Sequence, residues 1–570
     1  MTGAEAPAPA VPEAPLRPPE TVMRLARVGS FHPTRISFTR TLVRRMAREN
    51  WRISRPLFEL DGNGIGTAIY RIDTPTSPLW FVAFADHLDP ADRTDRVIAE
   101  KWDATFTLTA RDPMAGEIER LHANIPLQEA GRCSPEELVL SRANKSVRLF
   151  EHVADALARG RQPDRAKILD VGYLVRTTAV YGNGKFGLAD LGKLRLSGVF
   201  ELPFQAEMLC VYLVRQFSLD WVEHIAHARA PGTFAPMDDA LKRALGVGNA
   251  TGLGMAPFLV GHPKLIDAWI TARETALARV RAATKADAGT VERFRALLSR
   301  ASDHVRQWPT TDGLQQQRCA DLLDQLPLLR EAEASLPREG LWDGLVNWAE
   351  SHVDLEAQEL LNSVLIELYP ALVDELETRT GSDEIMRLEP TMSLGDLLAL
   401  IDTHYAWVRD FDFAAEAANA RFWYRSAEKE EPRLGWRFKE PGSEKEIRIA
   451  VARDVSHLRE TLADQYAGML DATVAEFLMA FPEWRQTVRR VQSLAGLPYA
   501  EFRDNLIDAA CRPIDLLRCK LSMFGATKFD PKSDLWTRIA MFQGAPLADG
   551  LDGEDADDWA FPVLAEGLES

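Results

Sequence analysis

The sequence predicts a mainly α-helical protein, in which a small N-terminal α+β region precedes a large multi-helix body. Apolar residues recur at helical spacing over most of the chain, whereas strand and turn signals concentrate around residues 55–110. Hydrophobic residues make up 46% and charged residues 26% of the sequence, which is typical of a globular protein. Because 570 residues exceed what one hydrophobic core accommodates, we expect several domains.

The N-terminal part of the chain contains the clear strand signals. Residues 1–20 hold six prolines among alanines and glutamates, and this composition predicts a disordered tail. Apolar residues at helical spacing predict a helix over residues 36–51. Asp61-Gly62-Asn63-Gly64 predicts a turn between two strands. The expected strands cover residues 56–60, 67–72, 79–84 and 104–109. We therefore assign residues 21–130 to a small α+β domain.

Helical patterns dominate after residue 130. Ser134-Pro135-Glu136-Glu137 has the composition of a helix start, with a capping serine, a proline at the first position and a glutamate that completes a capping box. An apolar stripe continues this helix to Gly160. Further helices are expected at 165–180, 206–230, 237–245, 263–284, 289–307, 313–334, 354–378, 393–424, 453–480, 484–495, 499–509 and 513–522. We assign residues 131–390 to a helical domain with two glycine-rich loops and residues 391–570 to a C-terminal helical domain.

The first glycine-rich loop is Gly182-Asn183-Gly184-Lys185-Phe186-Gly187. Glycine loses more backbone freedom on folding than any other residue, so a cluster indicates a sharp turn or a close approach. The loop matches the GxGxxG pattern of dinucleotide-binding folds, but the glycines and proline that follow leave no room for that motif's long helix. We expect its backbone N–H groups, together with Lys185 and Arg176, to cradle a phosphate or carboxylate. The alternative interpretation is a structural turn between helices.

The second glycine-rich loop begins at Gly246. Asn249 and Thr251 supply polar groups for a ligand there, whereas the alternative is a close helix crossing that small residues allow. Because both loops lie in one helical block, we expect them to line one cavity. The predicted substrate-binding residues are Arg142, Arg176, Gly182, Asn183, Gly184, Gly187, Gly248, Asn249, Thr251 and Gly252. The predicted catalytic residues, which would move protons, are Lys185, Asp190 and His224.

Four polar residues share one face of the expected helix at 206–230, namely Gln216, Asp220, Glu223 and His227. Carboxylates and an imidazole are potential metal ligands. Their spacing matches neither a di-iron nor a zinc-protease motif, so we interpret the stripe as a solvated surface. No metal site is predicted and no cofactor is identified. Five scattered cysteines without a CxxC pair indicate a reducing compartment.

Charge and hydropathy argue against two classes of partner. A net charge of −17 argues against nucleic acid, and the charged residues Arg215 and Asp220 within the most apolar stretch argue against a membrane span. The leading hypothesis is a soluble cytoplasmic metabolic enzyme that binds a small anionic metabolite in its helical body and performs acid–base chemistry of unspecified class. The alternatives are a non-enzymatic helical module for ligand sensing or protein assembly, and a nucleotide-dependent oxidoreductase. The sequence is compatible with a homo-oligomer.

Overall fold

The structure of the protein, a computed structural model, combines a ten-stranded sheet with a body of helices. It describes residues 14–23, 34–92, 101–124, 136–182, 185–186, 191–249, 263–283, 285–379, 387–412, 452–501, 522–531, 537–551 and 553–566. Strands and helices alternate along the first half of the chain, whereas the described residues between 263 and 501 are mainly helical. Two further strands follow near the C-terminus.

The sheet runs in the order β1-β2-β3-β4-β5-β6-β8-β10-β9, and β7 pairs with β6 beside this path. The strands are β1 (Arg52–Leu60), β2 (Gly66–Asp73), β3 (Leu79–Ala85), β4 (Ala104–Thr109), β5 (Glu137–Lys145), β6 (Tyr173–Gly182), β7 (Lys185–Phe186), β8 (Gly246–Asn249), β9 (Ala526–Pro531) and β10 (Thr537–Met541). Neighbours from β1 to β6 are antiparallel, and so are β8 with β10 and β10 with β9. The pair β6 and β8 is parallel, so the sheet is mixed.

The predicted hairpin between β1 and β2 is confirmed. One carboxylate oxygen of Asp61 accepts hydrogen bonds from the backbone N–H groups of Asn63 and Ile65, at 2.8 and 2.9 Å. Gly64 adopts a φ of 77°, a left-handed conformation that glycine reaches without steric cost. The expected strands at 79–84 and 104–109 are confirmed as β3 and β4.

The predicted fold class is wrong in the size and extent of its sheet. Six of the ten strands, β5 to β10, lie beyond the region 55–110 to which we confined it. The helix predicted to run from Ser134 to Gly160 begins instead with β5. That strand is buried on both faces, so it shows no polar alternation to distinguish it from a buried helix.

The helices within the described residues are mostly those that apolar spacing predicts. They are α1 (Pro19–Val22), α2 (Phe38–Arg48), α3 (Ile118–Asn124), α4 (Phe150–Ala158), α5 (Arg165–Val171), α6 (Leu191–Leu194), α7 (Gln205–Arg229), α8 (Asp239–Ala244), α9 (Pro263–Arg281), α10 (Ala288–Arg306), α11 (Gly313–Ser335), α12 (Leu341–His352), α13 (Leu355–Leu368), α14 (Pro370–Val373), α15 (Leu394–His404), α16 (Ala452–Glu460), α17 (Val474–Ala480), α18 (Arg485–Leu494) and α19 (Gly553–Asp558). None of them is both long and apolar enough to cross a membrane.

Several predicted helices are shorter in the structure. The helix expected at 165–180 ends at Val171, because Gly172 adopts a left-handed φ of 79° and the chain continues as β6. The helix expected at 354–378 is interrupted before Pro370. The one expected at 453–480 divides into α16, a π-helical turn and α17. Most of the helices expected at 499–509 and 513–522 lies outside the described residues.

Helix α7 is the main contact between the sheet and the rest of the protein. Its Phe217 ring packs edge-on against Phe106 of β4, with ring centroids 5.6 Å apart. Arg215 is buried, and its guanidinium donates to the backbone carbonyls of Leu245, at 2.7 Å, and Pro546, at 3.2 Å. A buried charge thus ties the middle of α7 to a segment near the C-terminus.

Described residues of 388–408 and 452–500 form a second apolar core around α15, α16 and α18. Two loop–helix segments meet there in a reciprocal arrangement, each beginning with a hydroxyl that caps its helix, Ser393 for α15 and Thr473 for α17. Four backbone hydrogen bonds join the segments: Leu394 to Ala472, Val474 to Met392, Gly395 to Leu470 and Ala475 to Pro390. Each segment donates two of these bonds and accepts the other two at equivalent positions, which gives this unit an approximate two-fold symmetry.

The N-terminal segment packs on the helical body, so the predicted disordered tail is wrong for residues 14–20. Arg17 is buried, and its guanidinium pairs with Glu274 of α9 at 2.7 Å and with Glu359 of α13 at 3.3 Å. The Tyr499 hydroxyl donates to the Arg17 carbonyl at 2.6 Å. Residues 1–13 lie outside the described part of the chain.

A second group of buried arginines, Arg35, Arg40 and Arg44, lies on and just before α2. Each has a carboxylate partner from the end of α13 or the turn after α14. The pairs are Arg35 with Asp374, Arg40 with Glu367 and Arg44 with Glu377. Arg35 also pairs with Asp557 of α19 at 2.7 Å, so three cations meet four carboxylates around α2.

Candidate functional site

Predicted site residues lie on the neighbouring strands β5, β6 and β8. Arg142 is on β5, Arg176 and Gly182 are on β6, and Gly248 is on β8. Asn144 pairs with Arg176 across β5 and β6, and Arg142 precedes Asn144 by two residues on the same strand. Since alternate residues share a face, both arginines lie on one face of the sheet.

Arg142 and Gly248 lie against aromatic side chains of the protein itself. The Arg142 guanidinium lies over the Trp102 ring, 4.0 Å from its centroid. Gly248 lies against Tyr173, and an added Cβ would fall 2.6 Å from that ring. The close approach that requires glycine at 248 is therefore to an aromatic side chain.

The GxGxxG sequence does not have the strand–turn–helix order of a dinucleotide site. β6 and β7 are antiparallel and Gly182 pairs with Lys185, which leaves two residues between the strands. The sequence is therefore part of a hairpin, where β7 takes the place of the helix that follows such a motif. It is not the interhelical turn of our alternative interpretation either.

Most of the other predicted loop residues are outside what the structure describes. Asn183, Gly184, Gly187, Asp190, Thr251 and Gly252 fall in undescribed segments. Lys185 lies on β7 and Asn249 ends β8. The shared cavity of the two loops stays a prediction, which the parallel pairing of β6 and β8 favours.

His224 lies away from the two arginines. Its Nε2 is 2.8 Å from the Asp61 carbonyl oxygen, in the β1–β2 turn, and strands β3 to β5 separate that hairpin from β6. On the same helix, Asp220 accepts a hydrogen bond from the Tyr70 hydroxyl at 2.7 Å, and burial raises its pKa. Glu223 pairs with Lys242 at 3.0 Å. The polar stripe of α7 is thus paired with neighbours, and the described residues contain no cluster of metal-ligating side chains.

A cavity of about 320 Å³ lies elsewhere, between the far edge of the sheet and the helices. Its walls come from the end of α5, α8, α10, β9 and the segment 555–565. The polar side chains that line it include Arg243, Arg300, His304 and Lys528, and the aromatic ones are Trp308 and Trp559. Its size suits a small metabolite.

Lys528 is the most unusual of these side chains. It is 5% exposed, and its Nζ donates to the carbonyls of Leu169, at 2.7 Å, and Asp170 at the end of α5. Burial lowers the pKa of Lys528 to about 7, against the opposing effect of Asp530 and Asp170, while Arg538 and Arg148 lower it further. A large fraction of this amine is therefore neutral near pH 7.

His304 lies on α10 beside the same cavity. Its Nδ1 is 2.8 Å from the Pro562 carbonyl oxygen, so this nitrogen carries a proton. Burial lowers the pKa of His304 to about 4, although the backbone contacts with Pro562 and Thr527 raise it. The imidazole is therefore neutral at physiological pH and adds no charge to the cavity.

The two arginines have carboxylate partners at the rim. Arg300 donates to Asp558 at 2.9 Å, and Arg243 donates to Asp555 at 3.2 Å. Asp558 is 69% exposed and Asp555 is 42% exposed, so solvent screens both pairs. Counting Lys528 as charged, the lining carries three cations and two anions.

The wall formed by the C-terminal segment is held by specific hydrogen bonds. Gln307 and Leu564 bond reciprocally, through the amide side chain of one and the backbone of the other, at 3.0 and 3.1 Å. The Trp559 indole donates to the Gln543 carbonyl at 2.8 Å. The cavity is thus closed on one side by contacts that span much of the chain.

Sequence reasoning missed Lys528, His304, Arg243 and Arg300. No motif surrounds them, and the low pKa of Lys528 comes from burial against α5, 359 residues earlier at Leu169. No protein-family model, curated protein or solved structure matches this chain. The geometry of the cavity is therefore the basis on which we infer a function.

Proposed function

We propose that this protein binds a small anionic metabolite in the cavity lined by Lys528. The observation that supports it best is that two guanidinium groups and the amine of Lys528 line one cavity of about 320 Å³, on a chain whose net charge is −17. On an acidic protein, a small anion is favoured where cationic side chains are gathered, because the net charge of the chain repels it elsewhere.

Different side chains of the lining would contact different parts of a ligand that carries a carboxylate or phosphate group. Arg243 and Arg300 have guanidinium groups, whose planar geometry suits the two oxygens of such a group. Their bonds to Asp555 and Asp558 are at the exposed rim, so an anion competes with them at low cost. Trp308 and Trp559 offer apolar surface for the rest of the ligand.

The enzyme hypothesis draws its support from Lys528. An amine with a pKa of about 7 accepts and donates protons near neutral pH, which is the property of a general acid or base. A ligand-sensing protein would use the same cavity without this chemistry. The acid–base chemistry that we expected of Lys185, Asp190 and His224 is therefore proposed for Lys528.

Isothermal titration calorimetry with inorganic phosphate, succinate and 2-oxoglutarate tests the proposal. We expect at least one of these anions to bind, and Lys528→Met and Arg300→Gln each to weaken it about tenfold, as loss of one charged contact does. Arg306→Gln is the matched control, because Arg306 lies on the same helix with an exposed carboxylate partner, Asp303, at 2.6 Å.

Two outcomes would contradict the assignment. If none of the three anions binds, the cavity is not an anion site. If Arg176→Gln abolishes binding while Lys528→Met and Arg300→Gln leave it unchanged, the ligand binds at the sheet face of Arg142 and Arg176 instead. Circular dichroism of each variant would show that it is folded.

A further inference from the structure

The amine of Lys528 has its N–H bonds committed to the protein. Its two acceptors are the carbonyls of Leu169 and Asp170, at the C-terminal end of α5. A neutral amine has two N–H bonds and one lone pair, so these two acceptors satisfy both N–H bonds. Lys528 and Leu169 both line the cavity. The lone pair is therefore the part of the neutral amine that remains for a ligand.

We propose that Lys528 reacts with the carbonyl group of a small 2-oxo acid to form an imine within this cavity. This inference rests on the proposed anion site, which would hold the carboxylate. In a 2-oxo acid the carbonyl group and the carboxylate are on adjacent carbons. A site for it therefore needs a nucleophile for the carbonyl and guanidinium groups for the carboxylate in one small space. Lys528, Arg243 and Arg300 line the same space.

The reaction balances without a further reagent. The Lys528 nitrogen attacks the carbonyl carbon and forms a C–N bond. The carbonyl oxygen leaves as water with the two hydrogens of the amine, and a C=N bond remains. Proton uptake gives an iminium with one N–H bond. This N–H donates to one of the two carbonyls, of Leu169 or Asp170, to which the amine donated before.

The surroundings favour this product over anionic adducts of the same amine. Two carbonyl oxygens at the end of a helix carry partial negative charge, which stabilises an iminium cation and disfavours a carbamate. The ring of His304 is neutral, so it adds no repulsion. Burial, which lowers the pKa of Lys528 to about 7, keeps nucleophilic amine present at neutral pH.

Reductive trapping tests the inference on the full chain. The protein is incubated with pyruvate or 2-oxoglutarate and sodium cyanoborohydride, and the adduct is located by peptide mass mapping. We expect one saturable adduct at Lys528, and Lys528→Arg to abolish it. Lys193→Arg, which changes an exposed lysine far along the chain, should leave labelling unchanged. Mapping on the wild-type chain identifies the site even where a variant fails to fold.

The pH dependence of trapping gives an independent readout. Labelling of Lys528 should increase between pH 6 and 8, whereas an ordinary lysine stays protonated there. The charged groups that bear on this amine are Asp530, Asp170, Arg538 and Arg148, and His304 is neutral over that range. Labelling that increases only above pH 9 would contradict the inference.

The 2-hydroxy acid lactate separates the two proposals, because it has the carboxylate without the carbonyl. If lactate lowers the labelling of Lys528 by the oxo acid, the result supports both the anion site and the imine. If 2-oxoglutarate binds by calorimetry but labels surface lysines as fast as Lys528, the anion site stands and the imine is excluded. If neither oxo acid binds nor labels, the anion site fails and the imine fails with it.

Discussion

Two groups of buried cations in this protein have opposite environments. On and just before α2, Arg35, Arg40 and Arg44 face Asp374, Glu367 and Glu377, and Glu367 is 3% exposed. In the cavity, Lys528 faces backbone carbonyls, and the carboxylates near the arginines are at the rim. Arginines that bond directly to buried carboxylates hold helices together, whereas cations whose hydrogen bonds go to backbone carbonyls or to exposed carboxylates are the ones we propose to bind a ligand.

Buried and exposed ion pairs also differ in how much they contribute to the free energy of unfolding. Removing one partner of a buried ion pair costs about 3–5 kcal/mol, because the other charge stays buried and uncompensated. An exposed pair contributes about 0–1 kcal/mol. Substitutions in the two groups should therefore differ severalfold in their effect on stability.

The largest effect is expected for Glu367→Gln, which leaves Arg40 without its carboxylate partner. We expect the free energy of unfolding to fall by about 3–5 kcal/mol. Urea unfolding followed by tryptophan fluorescence measures it. Glu375→Gln removes the exposed partner of Arg279 and serves as the control. A loss below about 1 kcal/mol would mean that the α2 arginines do not hold the helices.

Deleting residues 1–20 should be almost as damaging, because it removes Arg17 from between Glu274 and Glu359. We expect a loss of about 3 kcal/mol, as for one uncompensated buried charge. Thermal unfolding by circular dichroism would detect it. Deletion of residues 1–13 leaves Arg17 in place and should have little effect. Equal melting temperatures for both deletions would restore the prediction of a dispensable tail.

The pH dependence of stability tests the environment of Lys528. Its ordinary pKa of 10.5 applies in the unfolded chain, and the folded value is about 7. Between these values the unfolded state binds more protons, so stability rises with pH, by about 1.4 kcal/mol per pH unit at most. Below pH 7 both states are protonated and the full cost of the buried charge is present. Lys528→Met should lack this rise, and parallel profiles of the two proteins from pH 7 to 9 would show that the amine is not buried.

The smallest effect on stability is expected for Arg300→Gln. Its partner Asp558 is exposed, so the free energy of unfolding should change by less than about 1 kcal/mol. The same substitution should weaken anion binding, which would separate a binding role from a structural one. A loss of several kcal/mol would mean that Arg300 stabilises the fold, as we expect of the arginines at α2.

Sequence patterns predict those parts of the fold whose signals are local. The turn at Asp61 defines the β1–β2 hairpin, and apolar spacing predicts α2, α7, α9, α10 and α11. β5 is missed because it is buried on both faces, and β8 because its sequence, Gly-Val-Gly-Asn, has little strand propensity. β8 is a strand because β6 and β10 flank it, which is a non-local cause.

The candidate site was less predictable than the fold. Arg176 was chosen as a cation near a glycine loop, and Arg142 as a cation at the core-facing edge of an expected helix. The structure brings them onto one face of the sheet. Lys528 has no such signal, since an ordinary lysine acquires a low pKa only when distant segments bury it. Spacing along the chain cannot reveal that burial.

The position of β9 and β10 in the sheet has a consequence for synthesis of the chain. β8 pairs with β10, and the cavity wall at residues 555–565 follows later still. While the ribosome is still translating the helical body, β8 is an open strand edge and the cavity has no closing wall. A chain truncated before Thr537 would therefore lack the closing wall of the cavity and would also expose β8 as an unpaired, aggregation-prone edge.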